Sequence, residues 1–94
     1  MNERANGDDS YSGVEVPKRL LEYLAEGLVA EPEEVSVTEA ETESGSIVLE
    51  LSVAPEDYGR VIGRAGRTAH ALRTVVKAAA TGEGCHVLVD IVDD

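Results

Sequence analysis

The sequence predicts an α+β fold of two layers, with elements in the order helix, strand, strand, helix, helix, strand. The three helices pack on one face of a three-stranded sheet. Three observations carry this prediction. Residues 47–53 and 85–91 set apolar side chains at every second position, the period of a strand. Residues 20–28 and 69–80 space their apolar residues by three and four, the period of a helix face. Glycine and proline mark the joints between these segments.

Taken in order, residues 1–13 mix Asn, Gly, Asp and Ser without a hydrophobic period and read as a disordered polar tail. A single domain follows over residues 14–94. Pro17 suits the first turn of a helix whose stripe is Leu20, Leu21, Leu24 and Leu28, widened by Tyr23 and Val29. Glu31-Pro32 ends it, because a residue before proline avoids the α region. Val35 and Val37 start the first strand, whose far end fades into the polar run Thr38 to Glu43. Ser44-Gly45-Ser46 is a turn, and Ile47, Leu49, Leu51 and Val53 form the core side of the second strand, completing a hairpin.

Pro55-Glu56-Asp57 opens a short second helix, its acids placed for the positive end of the helix dipole. That helix carries Val61 and Ile62 and stops at Gly63. From about Arg67 a third helix turns Ala69, Leu72, Val76 and Ala79 to one side, flanked by Val75 and Ala80. Thr81-Gly82-Glu83-Gly84 breaks it, and Cys85, Val87, Val89 and Ile91 face the core from the last strand. Periodicity leaves open which hairpin strand this last one joins, and in which direction.

Composition narrows the function classes. The chain has no Phe or Trp and three Tyr, so its core is built from Val, Leu, Ile and Ala. One cysteine, Cys85, excludes an internal disulfide, and no Cys/His spacing fits a zinc site. No apolar run approaches the roughly 20 residues that cross a bilayer, and the polar start is unlike a signal peptide. A cytoplasmic protein is expected, with no membrane partner, no small-molecule substrate, no cofactor and no metal.

The net charge of −11 argues against a polyanionic ligand until its distribution is read. Tyr58 to Gly82 contains no acid but holds Arg60, Arg64, Arg67, Arg73 and Lys77. That segment carries +5 within a chain of −11, so the remainder carries −16. The basic segment marks where an anion could bind.

Inside it lies Val61-Ile62-Gly63-Arg64-Ala65-Gly66-Arg67-Thr68-Ala69. Gly63 allows one helix to end and another to begin within four positions, and neither glycine carries a side chain to keep a polynucleotide backbone away. The third helix starts there with unpaired N–H groups and a partial positive charge, which favour a phosphate. Arg64 and Arg67 add full charges, while Val61 and Ile62 can offer bases an apolar surface. Phosphate contacts hold a strand, and base contacts confer preference. Two glycines three apart are common by chance; the helices, the Val-Ile pair and the acid-free surroundings give the pattern its weight.

Ile62-Gly63-Arg64-Ala65-Gly66 resembles the Ile-Gly-x-x-Gly signature of KH domains, whose loop clamps about four nucleotides of backbone. The element order resembles the type II, bacterial arrangement. More narrowly, Ala54 to Gly63 followed by Gly66-Arg67-Thr68-Ala69 and Leu72-Arg73 is similar to the small stand-alone bacterial KH proteins of the KhpA family, over about Lys18 to Val92. Ala69 stands where KH sequences in general often carry Ile, a departure that this narrower family shares. The resemblance implies a non-enzymatic, single-stranded RNA-binding protein contacting RNA through Gly59, Arg60, Val61, Ile62, Gly63, Arg64, Ala65, Gly66, Arg67, Thr68 and Arg73. It also implies a homodimer, and a larger partner joining a KH domain to a second single-strand-binding domain. A role as RNA chaperone or post-transcriptional regulator in cell growth, cell shape and envelope processes belongs to the same implication.

Two other readings compete. A helix-hairpin-helix DNA-binding module also meets phosphates through a glycine turn, but its glycines are separated by one residue rather than two, and it lacks these strands. An assembly module would use the small residues Gly63, Ala65, Gly66 and Ala69 to pack against another protein, with little direct RNA binding. Enzyme readings are weak. His70 and His86 lie on polar faces without a partner at motif spacing, and Cys85 reads as a buried thiol. Asp57 reads as a partner of the helix dipole, and the acids of 31–43 lack the order of a calcium loop.

Overall fold

The computed structural model describes residues 9–92. Its elements are α1 (Asp9–Leu28), β1 (Ser36–Glu41), β2 (Ile47–Ser52), α2 (Tyr58–Ile62), α3 (Arg67–Gly82) and β3 (Val87–Ile91). Type and order agree with the periodicities. β1 and β2 form the expected antiparallel hairpin, with Val37 opposite Leu51 and Glu41 opposite Ile47. β3 settles the question left open: it lies beside β2 and parallel to it, giving the order β1-β2-β3 with Leu49 opposite Val89. Parallel neighbours need a long crossover, and α2, the glycine loop and α3 are that crossover.

Three boundaries differ from expectation, each for a backbone reason. α1 begins at Asp9, not at Pro17, so residues 9–13 of the predicted tail are helical; residues 1–8 lie outside the described residues. Pro17, fully buried, sits inside the helix and has no N–H for the carbonyl of Gly13 four residues back. The Cys85 thiol donates to that carbonyl instead, at 3.3 Å. A side chain at Gly13 would come within 3.3 Å of the Glu83 carbonyl, so α1 passes close to the α3–β3 turn. β3 begins at Val87 rather than Cys85, because the Cys85 N–H closes α3 by bonding Ala80 O at 2.9 Å. Gly84, with φ of 80°, makes that left-handed helix stop possible. β1 extends to Glu41 despite its polar far end, since an edge strand needs apolar residues only where it is covered.

The core lies between the sheet and the helices. α1 contributes Val14, Leu21 and Ala25, the sheet Val37, Leu49, Leu51, Val87 and Val89, and α3 Leu72, Val76 and Ala80. Full burial of a side chain such as Leu49 or Val76 contributes about 1.5–3 kcal/mol. Two predicted faces need correction. Tyr23 is 73% exposed, roughly opposite Leu21 on α1, and does not widen the core stripe. On α3 the line of fully buried positions ends on Ala80, four past Val76, with Ala79 half-buried beside it. Cys85 is half-buried, and burial pushes its thiol pKa up, with Glu83 adding to the shift. No helix among the described residues is long and apolar enough to cross a membrane.

Candidate nucleic-acid interface

The glycine loop is built by an abrupt change of backbone hand. α2 is five residues long and closes when the Gly63 N–H bonds Gly59 O at 2.9 Å. Gly63 then takes φ 76° and ψ 173°, a conformation essentially confined to glycine. Its missing Cβ is required twice over. That atom would stand 2.2 Å from Thr68 Oγ1, 2.7 Å from Thr68 Cβ and 2.9 Å from the Thr68 amide nitrogen. Thr68, in the first turn of α3, is thereby folded against the end of α2.

Ala65 follows at φ 56° and Gly66 at φ 75°, both left-handed. Gly66 has open space where a Cβ would be, so conformation alone asks for glycine there. Ala65 is the one non-glycine residue with positive φ among those described, a conformation costing roughly 1–2 kcal/mol. Arg64 and Ala65 are exposed. Their backbone N–H groups find no backbone acceptor among the described residues, whereas Gly66 donates to Gly63 O at 3.1 Å. The loop tip therefore shows free donors, the positive end of the 16-residue α3 and the Arg64 side chain at one place.

The other predicted site residues divide. Arg67 and Arg64 are exposed and make no ion pair among the described residues. Gly59 is exposed on α2, and Ile62 is 39% exposed just before the loop. Val61 is fully buried, which corrects the expectation that it offers bases a surface. A helix of a turn and a half must give one side to the core, and Val61 is that side. Arg73 lies two turns along α3, its Nε donating to the Val89 carbonyl at 3.1 Å. Arg60 is turned to the opposite end of α2, where Nη1 meets Asp57 Oδ1 at 2.9 Å.

Asp57 stands at the N-cap of α2, as its place in the sequence predicts, but its bonding is not visible there. Its side chain is fully buried and makes no cap bond to α2. It accepts instead from the Ala30 and Glu31 N–H groups just past α1, both at 3.1 Å, and from Arg60. Burial pushes the Asp57 carboxyl pKa up, but those two backbone donors and the Arg60 guanidinium outweigh it and hold the group below its ordinary value. The start of α2 is thus pinned to the end of α1 by a buried carboxylate. The signal for this could not be read in one dimension, because its donors are backbone amides 26 and 27 residues away. Tyr58 is likewise committed: its hydroxyl donates to the Val92 carbonyl, so the one tyrosine near the loop braces the sheet.

A second concavity is apolar. It encloses about 620 Å³ between α1 and α3 and is lined by Tyr23, Leu24, Leu28, Ala71, Leu72 and Val75, among others. Thr68 also lines this groove, so its apolar surface runs up to the first turn of α3 beside the glycine loop.

Residues 18–91 match the family described as KhpA/KhpB, KH domain. The chain belongs to that family. The KH domain spans every element from the core half of α1 to β3. The chain is 56% identical over 75 residues to the RNA-binding protein KhpA of Clostridium acetobutylicum, an alignment covering 80% of this chain and 99% of that protein. It is 55% identical to the protein of that name from Clostridium perfringens over the same shares. The Streptomyces coelicolor protein of that name is 52% identical over 73 residues, 78% of this chain and 87% of its own. No solved structure is a significant match. The element order, the mixed sheet and the one-sided helical layer are those of a type II KH fold, and the family is one of binding proteins, not enzymes.

Proposed function

We propose that this KH domain binds single-stranded RNA by clamping its sugar–phosphate backbone on the loop Gly63-Arg64-Ala65-Gly66. The observation that carries the reading is the convergence at the loop tip of a helix N-terminus with amides and arginines that have no partner among the described residues, in a chain whose remainder carries −16. The names of the relatives, RNA-binding protein KhpA, support it. Ile62, Arg67 and Thr68 flank the clamp: one supplies apolar surface, one charge, and one packing behind Gly63. With no aromatic side chain in the loop itself, binding is of modest affinity and tracks backbone more than base.

The finer reading is of a cytoplasmic RNA chaperone or post-transcriptional regulator that works as a homodimer and with a larger KH-containing partner in cell growth and envelope processes. The apolar groove between α1 and α3 supports the assembly half of it, because such a surface gains by being covered. It equally favours the second reading, a protein–protein assembly module. The two are separated by one double variant, Arg64→Asp with Ala65→Asp. Asp is at ease in the left-handed region that residue 65 occupies, so the fold is kept while the tip becomes anionic. RNA affinity, measured by fluorescence anisotropy across a salt series, should fall beyond detection, and sedimentation should show association unchanged. RNA binding that survives in the folded double variant sinks the clamp. Loss of self-association alone favours the assembly module.

A further inference from the structure

We propose that the outward face of α3 is a second backbone-binding segment, along which Arg67, His70 and Lys77 lead the RNA strand away from the loop, with Lys77 on a phosphate beyond the clamped nucleotides. This rests on the clamp reading above and adds to it the path and length of the strand. Three sides of α3 are already engaged. The buried line from Ala69 to Ala80 faces the core, Thr68, Ala71 and Val75 line the groove against α1, and Arg73 reaches the Val89 carbonyl on β3. The fourth side holds Arg67, His70, Thr74 and Lys77, all exposed and within about 80° of one another around the helix axis.

Charge pairing sets this face apart. Among the described residues Lys18, Arg19 and Arg60 each meet a carboxylate, on Glu39, Glu15 and Asp57. Arg64, Arg67, Arg73 and Lys77 meet none among those residues, and all four belong to α3 or to the loop that opens it. On α1 the chain builds an ordinary solvated helix face, with Arg19 bonded to Glu15 one turn back. On α3 no acid stands three or four residues from Arg67, His70 or Lys77, although the chain has 19 acids to place. The helix dipole does not account for these cations either. Arg67 occupies the first turn, where a positive charge is unfavourable, and the last turn, where one is favourable, has none. Cations that the helix neither pairs nor stabilises are available to an anion from outside.

The spacing suits a strand that has already met the loop. Lys77 lies about 15 Å past Arg67 along the axis, room for some two or three further phosphates of an extended strand. Helical side chains lean toward the N-terminus, so Lys77 reaches back toward the clamp. The Thr74 hydroxyl donates to the His70 carbonyl at 2.9 Å and stays on the helix, which leaves the intermediate contact to a ring N–H of His70.

The test titrates strands of four and eight uridines against the full chain by anisotropy, at low salt and across a salt series. Wild type should hold the longer strand more tightly by more than the roughly fivefold that extra registers of a four-nucleotide clamp supply by themselves. Lys77→Ala should weaken the eight-uridine strand about fivefold and the four-uridine strand less than about twofold, and should make the longer strand's salt slope shallower by about 0.7. Lys77→Arg, which keeps the charge, should bind both strands as wild type does. Arg19→Ala removes the same charge from α1 and should change neither. Equal weakening of both strands by Lys77→Ala would make Lys77 part of the general field and overturn the proposal while leaving the clamp. So would a wild type whose gain with length stops at the register count, a Lys77→Ala variant that binds both strands normally, or an Arg19→Ala variant with the same length-dependent loss. A wild type that binds neither strand overturns the clamp and this inference together.

Discussion

The two ends of α2 are five residues apart and built on opposite terms. Its start is closed: Asp57 is buried, with two backbone amides and Arg60 around its carboxylate. Its end is open: Gly63, Ala65 and Gly66 take positive φ, and the Arg64 and Ala65 amides and the Arg64 side chain find no partner among the described residues. A site that is to receive an anion cannot satisfy its own donors, so it cannot hold itself together by them. The difference teaches that the loop borrows its rigidity from the neighbouring turn. A short helix between them transmits position because it has no length over which to bend.

That contrast can be broken most severely at Gly63. Gly63→Ala should destabilise the domain by ~3 kcal/mol or more, read by urea denaturation, since both φ/ψ and the Thr68 backbone refuse the methyl group. Truncating Thr68 in the same chain should not rescue it, because the amide nitrogen at 2.9 Å remains. Breaking the closed end comes next. Asp57→Ala strands the Ala30 and Glu31 amides and should lower the melting temperature by on the order of 10 °C.

The same carboxylate makes a pH prediction. Its folded pKa is depressed, so its contribution is present at neutral pH and is lost as pH falls below the ordinary carboxylate range through the folded value. Asp57→Asn should flatten that acid limb in melts recorded from neutral to acidic pH. The smallest effects belong to the loop tip. Gly66→Ala should cost about 1 kcal/mol, for conformation alone, against the larger loss at Gly63. Ala65→Gly should change stability by no more than about 1 kcal/mol, relief of the left-handed strain offsetting the added freedom of the unfolded chain. A loss at Gly66 as large as at Gly63 would show that the loop, too, is packed.

The fold was readable where periodicity speaks. Ile47 to Val53 and Leu72 to Val76 announce their elements and their faces, and the acid-free run from Tyr58 to Gly82 marks the charged surface. What could not be read depends on backbone groups, which carry no letter. The start of α1 was missed because Pro17 is tolerated inside the helix once a thiol from residue 85 serves the carbonyl it abandons. The bonding of Asp57 is hidden in the sequence because the amides that donate to its carboxylate belong to another part of the chain. The buried side of Val61 is not legible because one turn and a half of helix shows no period long enough to tell inside from outside.

The parallel pairing of β2 with β3 has a kinetic consequence. The loop lies within the connection that this pairing closes, so its geometry exists only while the last strand is docked. β3 is a five-residue edge strand, held on one side by β2 and on the other by Arg73. Detachment of β3 would release the Tyr58 and Arg73 contacts together and slacken the crossover from both ends. The β2-facing amides of Leu88, Asp90 and Val92 and the hydrogen-bonded amides of α3 past its first turn should then exchange with solvent in a single opening event, at one shared rate. The grip on a nucleic acid and the docking of the final strand would be two readings of one equilibrium, and a bound strand of RNA would slow exchange in β3.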